Sequence, residues 1–327
     1  MNKRMTVKTA AYFSAILILV LVMLFSGLRI LESTVLLPEQ NQESSIHSKT
    51  IERNGKSYFP RQDITVMMVL GIDEFGPVKD SGSYNNPGAA DMVTLLVFNE
   101  TEEVCDILCL NRDTMVEMPV LGIGGKKAGT LVGQLALSHT YGSGLEDSCE
   151  NTREAVSNFL YGAKIDYYAS FNMDAITLIN DAVGGVTVTV TDDFSDVDPT
   201  ITKGEITLKG EQAINFVRTR KGVGDQKNIS RIERQKEYME GFLDAFGEKA
   251  DDESFFLSAY DEIKPYVVTD CSATVLSGIV SRYGDYKLGE VLSPEGENVL
   301  GGEFYEFHAD EEALDELILE LFYAEKE

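Results

Sequence analysis

The chain has 327 residues, with 54 acidic against 28 basic side chains, a formal net charge of −26 and a pI near 4.4. Its 43% apolar content and 16 Phe supply a buried core, which excludes wholesale disorder. A polyanion of this size is repelled by nucleic acid and by anionic lipid head groups, so a phosphorylated partner must be held by a local exception to the bulk charge.

At the N-terminus Lys3, Arg4 and Lys8 precede an uncharged run, Ala10 to Leu28, closed by Arg29. At 1.5 Å rise per residue that run spans about 28 Å, close to the roughly 30 Å hydrocarbon core of a bilayer. It is longer than the apolar stretch of a cleaved signal peptide and has no small-x-small site at its end. We expect a cytoplasmic tip over residues 1–9 and a transmembrane anchor over 10–29. The basic flank leaves the N-terminus in the cytoplasm and exports the rest. The first thirty residues hold four bases and no acid, so the exported part sits near −30 (−26 less +4). Residues 30–61 are polar and without sustained periodicity, and read as a spacer that lifts the domain off the membrane.

Ile64 to Ile72 is a nearly continuous apolar, β-branched run, the pattern of a strand buried on both faces, and it ends at Asp73. A loop rich in Gly, Pro, Ser and Asn follows from Gly76 to Gly88. Asp91 then precedes a second strand, Met92 to Asn99. The tetrad 100–103 makes a tight connection to a third, Val104 to Asn111, which runs into Arg112. Short connections favour adjacent antiparallel strands. In such a meander the end of strand one, the start of strand two and the end of strand three share one sheet edge, so Asp73, Asp91 and Arg112 converge.

Further along, Asp147-x-x-Glu150 fits a capping box for a helix carrying Ala155, Val156, Phe159 and Leu160 and ended by Gly162. Ile165 to Phe171 reads as a strand, Met173 to Val183 as a helix closed by Gly184-Gly185, and Val186 to Thr191 as a half-buried strand. Asp192 to Thr207 reads as a loop. Tyr266 to Thr269 is strand-like, and Glu311 to Phe322 has helical periodicity. These elements predict an α/β (α+β) domain over 62–249 with a mixed central β-sheet flanked by helices. An acidic extension over 250–327 is expected to pack on it.

Cys105 and Cys109 fall on one face of a strand about 13 Å apart, too far to bridge. Cys149 and Cys271 are isolated. Export permits disulfides, and buried thiols fit the residues as well. Three His at no ligand spacing argue against zinc.

Arg218 to Lys236 contradicts the overall charge, with seven bases and two acids in nineteen residues. Arg218 and Arg220 are two apart and point the same way on extended backbone. A helix is expected from about Asn228, a good N-cap, placing Arg231, Arg234 and Gln235 side by side. Arginine suits phosphate because its planar fork binds two oxygens and stays charged. The patch is short and lacks interleaved aromatics, which disfavours nucleic acid. A solvated basic face is the competing reading.

The chain resembles the LytR-CpsA-Psr family of bacterial envelope proteins. The matching motifs are Val69-Leu70-Gly71-Ile72-Asp73, Ala90-Asp91, Leu110-Asn111-Arg112-Asp113-Thr114, His139-Thr140-Tyr141-Gly142, Ile165-Asp166-Tyr167-Tyr168 and Asp181 to Val186. They continue through Leu208 to Ala213 and Val217 to Gly222 to Arg231-Ile232-Glu233-Arg234-Gln235, in family order over residues 62–245. The resemblance implies a membrane phosphotransferase that moves an anionic glycopolymer, such as a teichoic acid or capsular polysaccharide, from a polyprenyl-pyrophosphate carrier onto peptidoglycan. It implies Asp73 and Asp91 as ligands of Mg²⁺, with Mn²⁺ as a substitute. Asp91, Arg112, Arg218 and Arg220 take the catalytic roles, and Arg231, Arg234 and Gln235 hold the carrier's diphosphate. Three positions depart from the family pattern: Ala89 replaces an arginine, Gln134 a lysine and Asn228 an acid. The competing classes are a non-enzymatic polyprenyl-phosphate-binding regulator or sensor and a polyprenyl-pyrophosphate phosphatase.

Overall fold

The computed structural model describes residues 50–219 and 261–325 apart from four single positions, together with 222–223 and a few positions between 234 and 259. The anchor expected at 10–29 and the helix start expected at Asn228 lie outside the described residues. Among those described, no helix is long and apolar enough to cross a membrane.

The strands are β1 (Ile51–Arg53), β2 (Lys56–Pro60), β3 (Ile64–Ile72), β4 (Ala90–Asn99), β5 (Val104–Leu110), β6 (Met115–Leu121), β7 (Lys127–Gln134), β8 (Tyr167–Asn172), β9 (Val186–Val190), β10 (Gly204–Leu208), β11 (Val267–Thr269), β12 (Lys287–Leu292), β13 (Gly296–Gly301), β14 (Phe304–Ala309) and β15 (Tyr323–Glu325). The helices are α1 (Glu146–Phe159), α2 (Met173–Ala182), α3 (Glu211–Arg218), α4 (Ala273–Tyr283) and α5 (Glu311–Phe322).

The largest sheet has the order β11-β8-β3-β4-β5-β12. β3, β4 and β5 form the expected antiparallel meander. β8 joins β3 and β12 joins β5 in parallel, so the sheet is mixed and the fold is α+β. Residues 250–327 supply both outer strands of this sheet, β11 and β12. The stretch expected as spacer ends in the β1–β2 hairpin, which pairs with β15.

Side chains alternate along the central strands between two cores. Met67 and Val69 of β3, Leu96 of β4 and Ile107 of β5 face a core completed by α2, α3, α4 and Phe242. Val66, Met68 and Leu70 of β3, Val93 and Leu95 of β4 and Leu108 of β5 face a second, closed by α1 and α5. Burying one such side chain stabilises the fold by roughly 1.5–3 kcal/mol. Both faces of β3 are therefore committed, which is why its sequence is apolar without alternation.

Several local expectations change. The loop expected over 192–207 ends in β10, which pairs with β9 across the full length of both strands. The capping box does not form. α1 has no side-chain cap, because Asp147 accepts hydrogen bonds from the Ser143 N–H, the Ser143 hydroxyl and the Ser148 N–H, and Glu150 pairs with Arg153.

All four cysteines are buried and unbridged. Cys105 and Cys109 share one face, as their spacing requires. Burial pushes the Cys105 and Cys149 thiols up to about 12, far from the reactive thiolate range. We expect none of the four to react with Ellman's reagent in the native protein and all four to react after unfolding in guanidinium; fewer than four would reveal a bridge.

Candidate active site

The meander brings its charged ends together at one edge. β3 and β4 pair in register down to Gly71 opposite Met92, after which Ile72 pairs with Ala90. Asp91 is the extra residue of this bulge, a device that re-aims a side chain at a sheet edge. The N–H groups of Asp73 and Asp91 both donate to the Ala89 carbonyl, at 3.0 and 3.1 Å. One peptide oxygen thus anchors the two aspartates.

The chain on either side is fixed. Gly76 N–H donates to Asp174 at the start of α2, and the Asn172 side-chain amide donates to the Gly76 carbonyl. At the far end of the 76–88 loop, buried Asn86 donates to the carbonyls of His139 and Gly142 and accepts from Gly88 N–H. His139 Nδ1–H donates to the Gly88 carbonyl at 2.7 Å. Burial lowers His139 to about 4, so it is neutral at physiological pH and keeps this bond. The His139 motif therefore supports the chain leading into Asp91. Gly88 is required by close approach: a Cβ there would lie 2.8 Å from Ile72 Cγ2 and 3.1 Å from Asn86 Oδ1.

Two ion pairs cross the edge. Arg112, just past β5, bonds Asp91 through Nη1. Arg218, the last residue of α3, donates from Nη2 to Asp73 Oδ1 at 2.8 Å. Arg112 Nε also lies 3.6 Å from Asp113, and Gln134 Nε2 donates to Asp113 at 2.9 Å. Burial pushes the Asp91 carboxyl above its ordinary range; the Arg112 charge opposes this and the Asp73 charge adds to it. The pairs are half-exposed, a setting in which an ion pair contributes only about 0–1 kcal/mol. Such arginines can exchange a carboxylate for phosphate oxygens at little cost.

The structure thus gathers Asp73, Asp91, Arg112 and Arg218. Arg220, Arg231 and Gln235 lie outside the described residues. Arg234, expected to hold the carrier's diphosphate, is 4% exposed, and each of its three guanidinium nitrogens donates a hydrogen bond within the protein. Nε donates to the Phe216 carbonyl at 2.9 Å, Nη1 to Asp192 at 2.6 Å and Nη2 to the Thr219 carbonyl, while the group sits over the Phe194 ring. It satisfies carbonyls at the C-terminal end of α3, the segment that presents Arg218. Helical spacing alone gives no sign that Arg234 is buried; packing decides it. We expect Arg234→Met to destabilise the protein by about 3–5 kcal/mol, because it strands Asp192 without its partner. A denaturant midpoint within error of wild type would refute this.

Asp113, Gln134 and Asn86 had no assigned role in the sequence. Asn86 and its carbonyl partners are 53 and 56 residues apart, a separation that no local motif encodes. Among the described residues, no group of three or more His, Cys, Asp or Glu gathers as a metal cage. Asp73 and Asp91 offer a pair of hard oxygen donors instead.

Comparison with known proteins places the chain in a family. The model described as the LytR_cpsA_psr family matches residues 34–321. The polyisoprenyl-teichoic acid–peptidoglycan teichoic acid transferase TagU of Bacillus subtilis (strain 168) is 26% identical over 282 residues, covering 85% of this chain and 84% of its own. Among solved structures, B. subtilis TagU superposes with a TM-score of 0.51 at 22% identity, covering 80% of this chain and 96% of that one. TagT bound to LI-WTA gives 0.53 at 23% identity over 84% and 95%. Protein gbs0355 from Streptococcus agalactiae gives 0.60 at 18% over 79% and 86%. At these identities the superpositions speak for the fold, whereas the family match spans nearly all of the sequence: the chain belongs to the LytR-CpsA-Psr family.

Proposed function

We propose that this protein is a membrane-anchored, extracytoplasmic phosphotransferase that moves an anionic glycopolymer from a polyprenyl-pyrophosphate carrier onto peptidoglycan. The observation that carries the reading is the crossed quartet at one sheet edge, Asp91 with Arg112 and Asp73 with Arg218. Its names follow the relatives, which are called teichoic acid transferases. Single-pass anchoring through residues 10–29 would set the domain where a lipid-linked donor is available.

In the reaction the acceptor hydroxyl oxygen attacks the sugar-side phosphorus. A new P–O bond forms, the bond from that phosphorus to the bridging oxygen breaks, and the bridging oxygen leaves with polyprenyl phosphate. Arg112 and Arg218 turn from their carboxylates to the phosphate oxygens and hold the charge that shifts in the transition state. Asp91 accepts the hydroxyl proton. Its raised pKa favours this role, because a general base works best when its pKa approaches the working pH.

Asp73 and Asp91 suit Mg²⁺, an ion commonly held by one or two carboxylates with substrate phosphates and water completing its shell. Among the described residues, Asp73, Asp91 and Asp113 against Arg112 and Arg218 leave the cluster at −1, a charge to which a divalent cation is complementary. When bound, the metal would neutralise the diphosphate and polarise the phosphorus.

The test uses the full chain with a polyprenyl-pyrophosphate-linked glycan and peptidoglycan. We expect covalent transfer that stops with EDTA and returns with Mg²⁺. Tight lipid binding without transfer would favour a regulator, and release of free glycan phosphate a phosphatase; either defeats the proposal.

A further inference from the structure

In the proposed reaction Arg112 has two tasks: to release Asp91, and to stay at the sheet edge while it takes phosphate oxygens. Its side chain is 42% exposed, and a long side chain in that setting gains rotamer entropy by swinging into water. It therefore needs a contact that persists when Asp91 is released.

The main chain beneath it is already fixed. Asp113 N–H donates to Asn111 Oδ1 at 3.0 Å, a turn closed by a side chain just past β5. Ala136 N–H donates to the Arg112 carbonyl at 3.0 Å, and Leu135 N–H to the Thr114 carbonyl at 2.8 Å. Phe307 N–H on β14 donates to the Asp113 carbonyl at 2.8 Å. These bonds hold the backbone and leave the Arg112 side chain to its own partners.

Those partners form a line. Arg112 Nε lies 3.6 Å from Asp113 Oδ1, an ion-pair distance. Gln134 Nε2 donates to the same Oδ1 at 2.9 Å and to the Tyr305 carbonyl at 2.8 Å. An amide nitrogen carries two hydrogens, and here each has an oxygen acceptor, which settles which end of the amide faces them. Tyr305 lies on β14, 171 residues from Gln134. The acidic extension thus supplies the fixed end of a line that runs to Arg112.

The two acids meet different atoms of the guanidinium. Asp91 takes Nη1, and Asp113 faces Nε, the nitrogen nearest the stem. Turning about the Nε end can carry the outer nitrogens from Asp91 to a phosphate while Nε stays beside Asp113. Gln134 is neutral, so it orients Asp113 without cancelling the charge that faces Arg112.

We propose that Gln134 is a positioning residue for transfer: it holds Asp113 against Arg112 Nε, so that Arg112 pivots from Asp91 onto the phosphate. The inference rests on the phosphotransferase reading and adds to it the group that aims Arg112.

The test uses the full chain in detergent micelles with two variants. Gln134→Met keeps the length of the side chain and removes its donors; Asp113→Asn removes the charge facing Arg112. In the transfer assay each should lower kcat by about 10- to 10²-fold, the cost of a small misplacement of a reacting group. Both KM values should stay, as for a contact made in the transition state. Added to Arg112→Ala, Gln134→Met should cost little more, because the group it aims is gone. A readout without turnover is the Nε–H signal of Arg112 in chain labelled with ¹⁵N-arginine, identified by its absence in Arg112→Ala. Its heteronuclear NOE should be that of an ordered group in wild type and of a mobile one in both variants. An unmoved kcat, losses that multiply with Arg112→Ala, or an unchanged NOE overturns the proposal. So does a rise in acceptor KM alone, which makes Gln134 a substrate contact, or a lower melting temperature with kcat intact, which makes it a structural clip. If wild type transfers nothing, the phosphotransferase reading fails, and the NOE alone decides whether Gln134 holds Arg112.

Discussion

Replacing Arg112 with alanine is expected to slow glycopolymer transfer by about 10²–10³-fold, the usual cost of losing one donor aimed at developing charge. Arg112 is 42% exposed at its side chain and, among the described residues, its ion-pair partners are Asp91 and Asp113, so the melting temperature should move little. Arg112→Lys should fall between, since an ammonium keeps the charge but not the two-pronged geometry. The substitution has a second readout. Arg112 is the larger of the two arginine charges that oppose the rise of the Asp91 pKa. Its loss should therefore move the acid limb of the pH–rate profile to higher pH in Arg112→Ala and only slightly in Arg112→Lys. A rate within a few-fold of wild type, or an unmoved acid limb, would remove Arg112 from the machinery.

Asp91→Asn should abolish most of the activity, by about 10²–10⁴-fold if Asp91 is the base, and should stabilise the protein at neutral pH. The sign follows from linkage. Burial raises the folded-state pKa of Asp91 above its unfolded value, so the folded protein binds this proton more tightly. The stability that Asp91 contributes is fully present below the unfolded pKa and is lost as pH rises through the folded one. At neutral pH the charged carboxylate is a cost that asparagine lacks. Arg112 then loses its partner, but as a half-exposed group it rehydrates for about 0–1 kcal/mol. The expected observation is a higher melting temperature for Asp91→Asn at pH 7, with the gap closing on acidification below pH 4. A destabilised variant at pH 7 would show that the ion pair outweighs the burial cost. A gain in stability from disabling the site is the usual trade at an active centre that holds an unfavourable charge for function.

The same balance explains why the site is a crossed quartet. A half-buried aspartate beside a second aspartate needs compensation, and in this edge two arginines supply it from elements far apart in sequence: Arg218 meets Asp73 across 145 residues.

Much of this was legible before the fold was known. The meander β3–β4–β5 follows from three apolar runs with short connections, and the run lengths alone place Asp73, Asp91 and Arg112 at one edge. Both elements rest on local information, namely side-chain periodicity and loop length. The β6–β7 hairpin was not legible. β6 contains Pro119, and β7, with Gly129 and Gly133, is largely exposed, so neither carries the alternation that marks a half-buried strand. β13 fails for the same reason, being exposed along most of its length.

What the sequence determined by itself is the central sheet's core, the family motifs and the location of charge: an acidic body with a short basic stretch from Arg218 to Lys236. What only the tertiary structure decided is how that stretch is divided. Arg218 faces the aspartates and remains exposed enough to change partners. Arg234, sixteen residues on, is buried against Phe194 with each guanidinium nitrogen hydrogen-bonded. Two arginines with the same chemistry end in different settings because desolvation and hydrogen-bond satisfaction are properties of surroundings assembled from distant parts of the chain. The net charge of −26 points to the need for a local exception; burial sorts which of its cations are free to act.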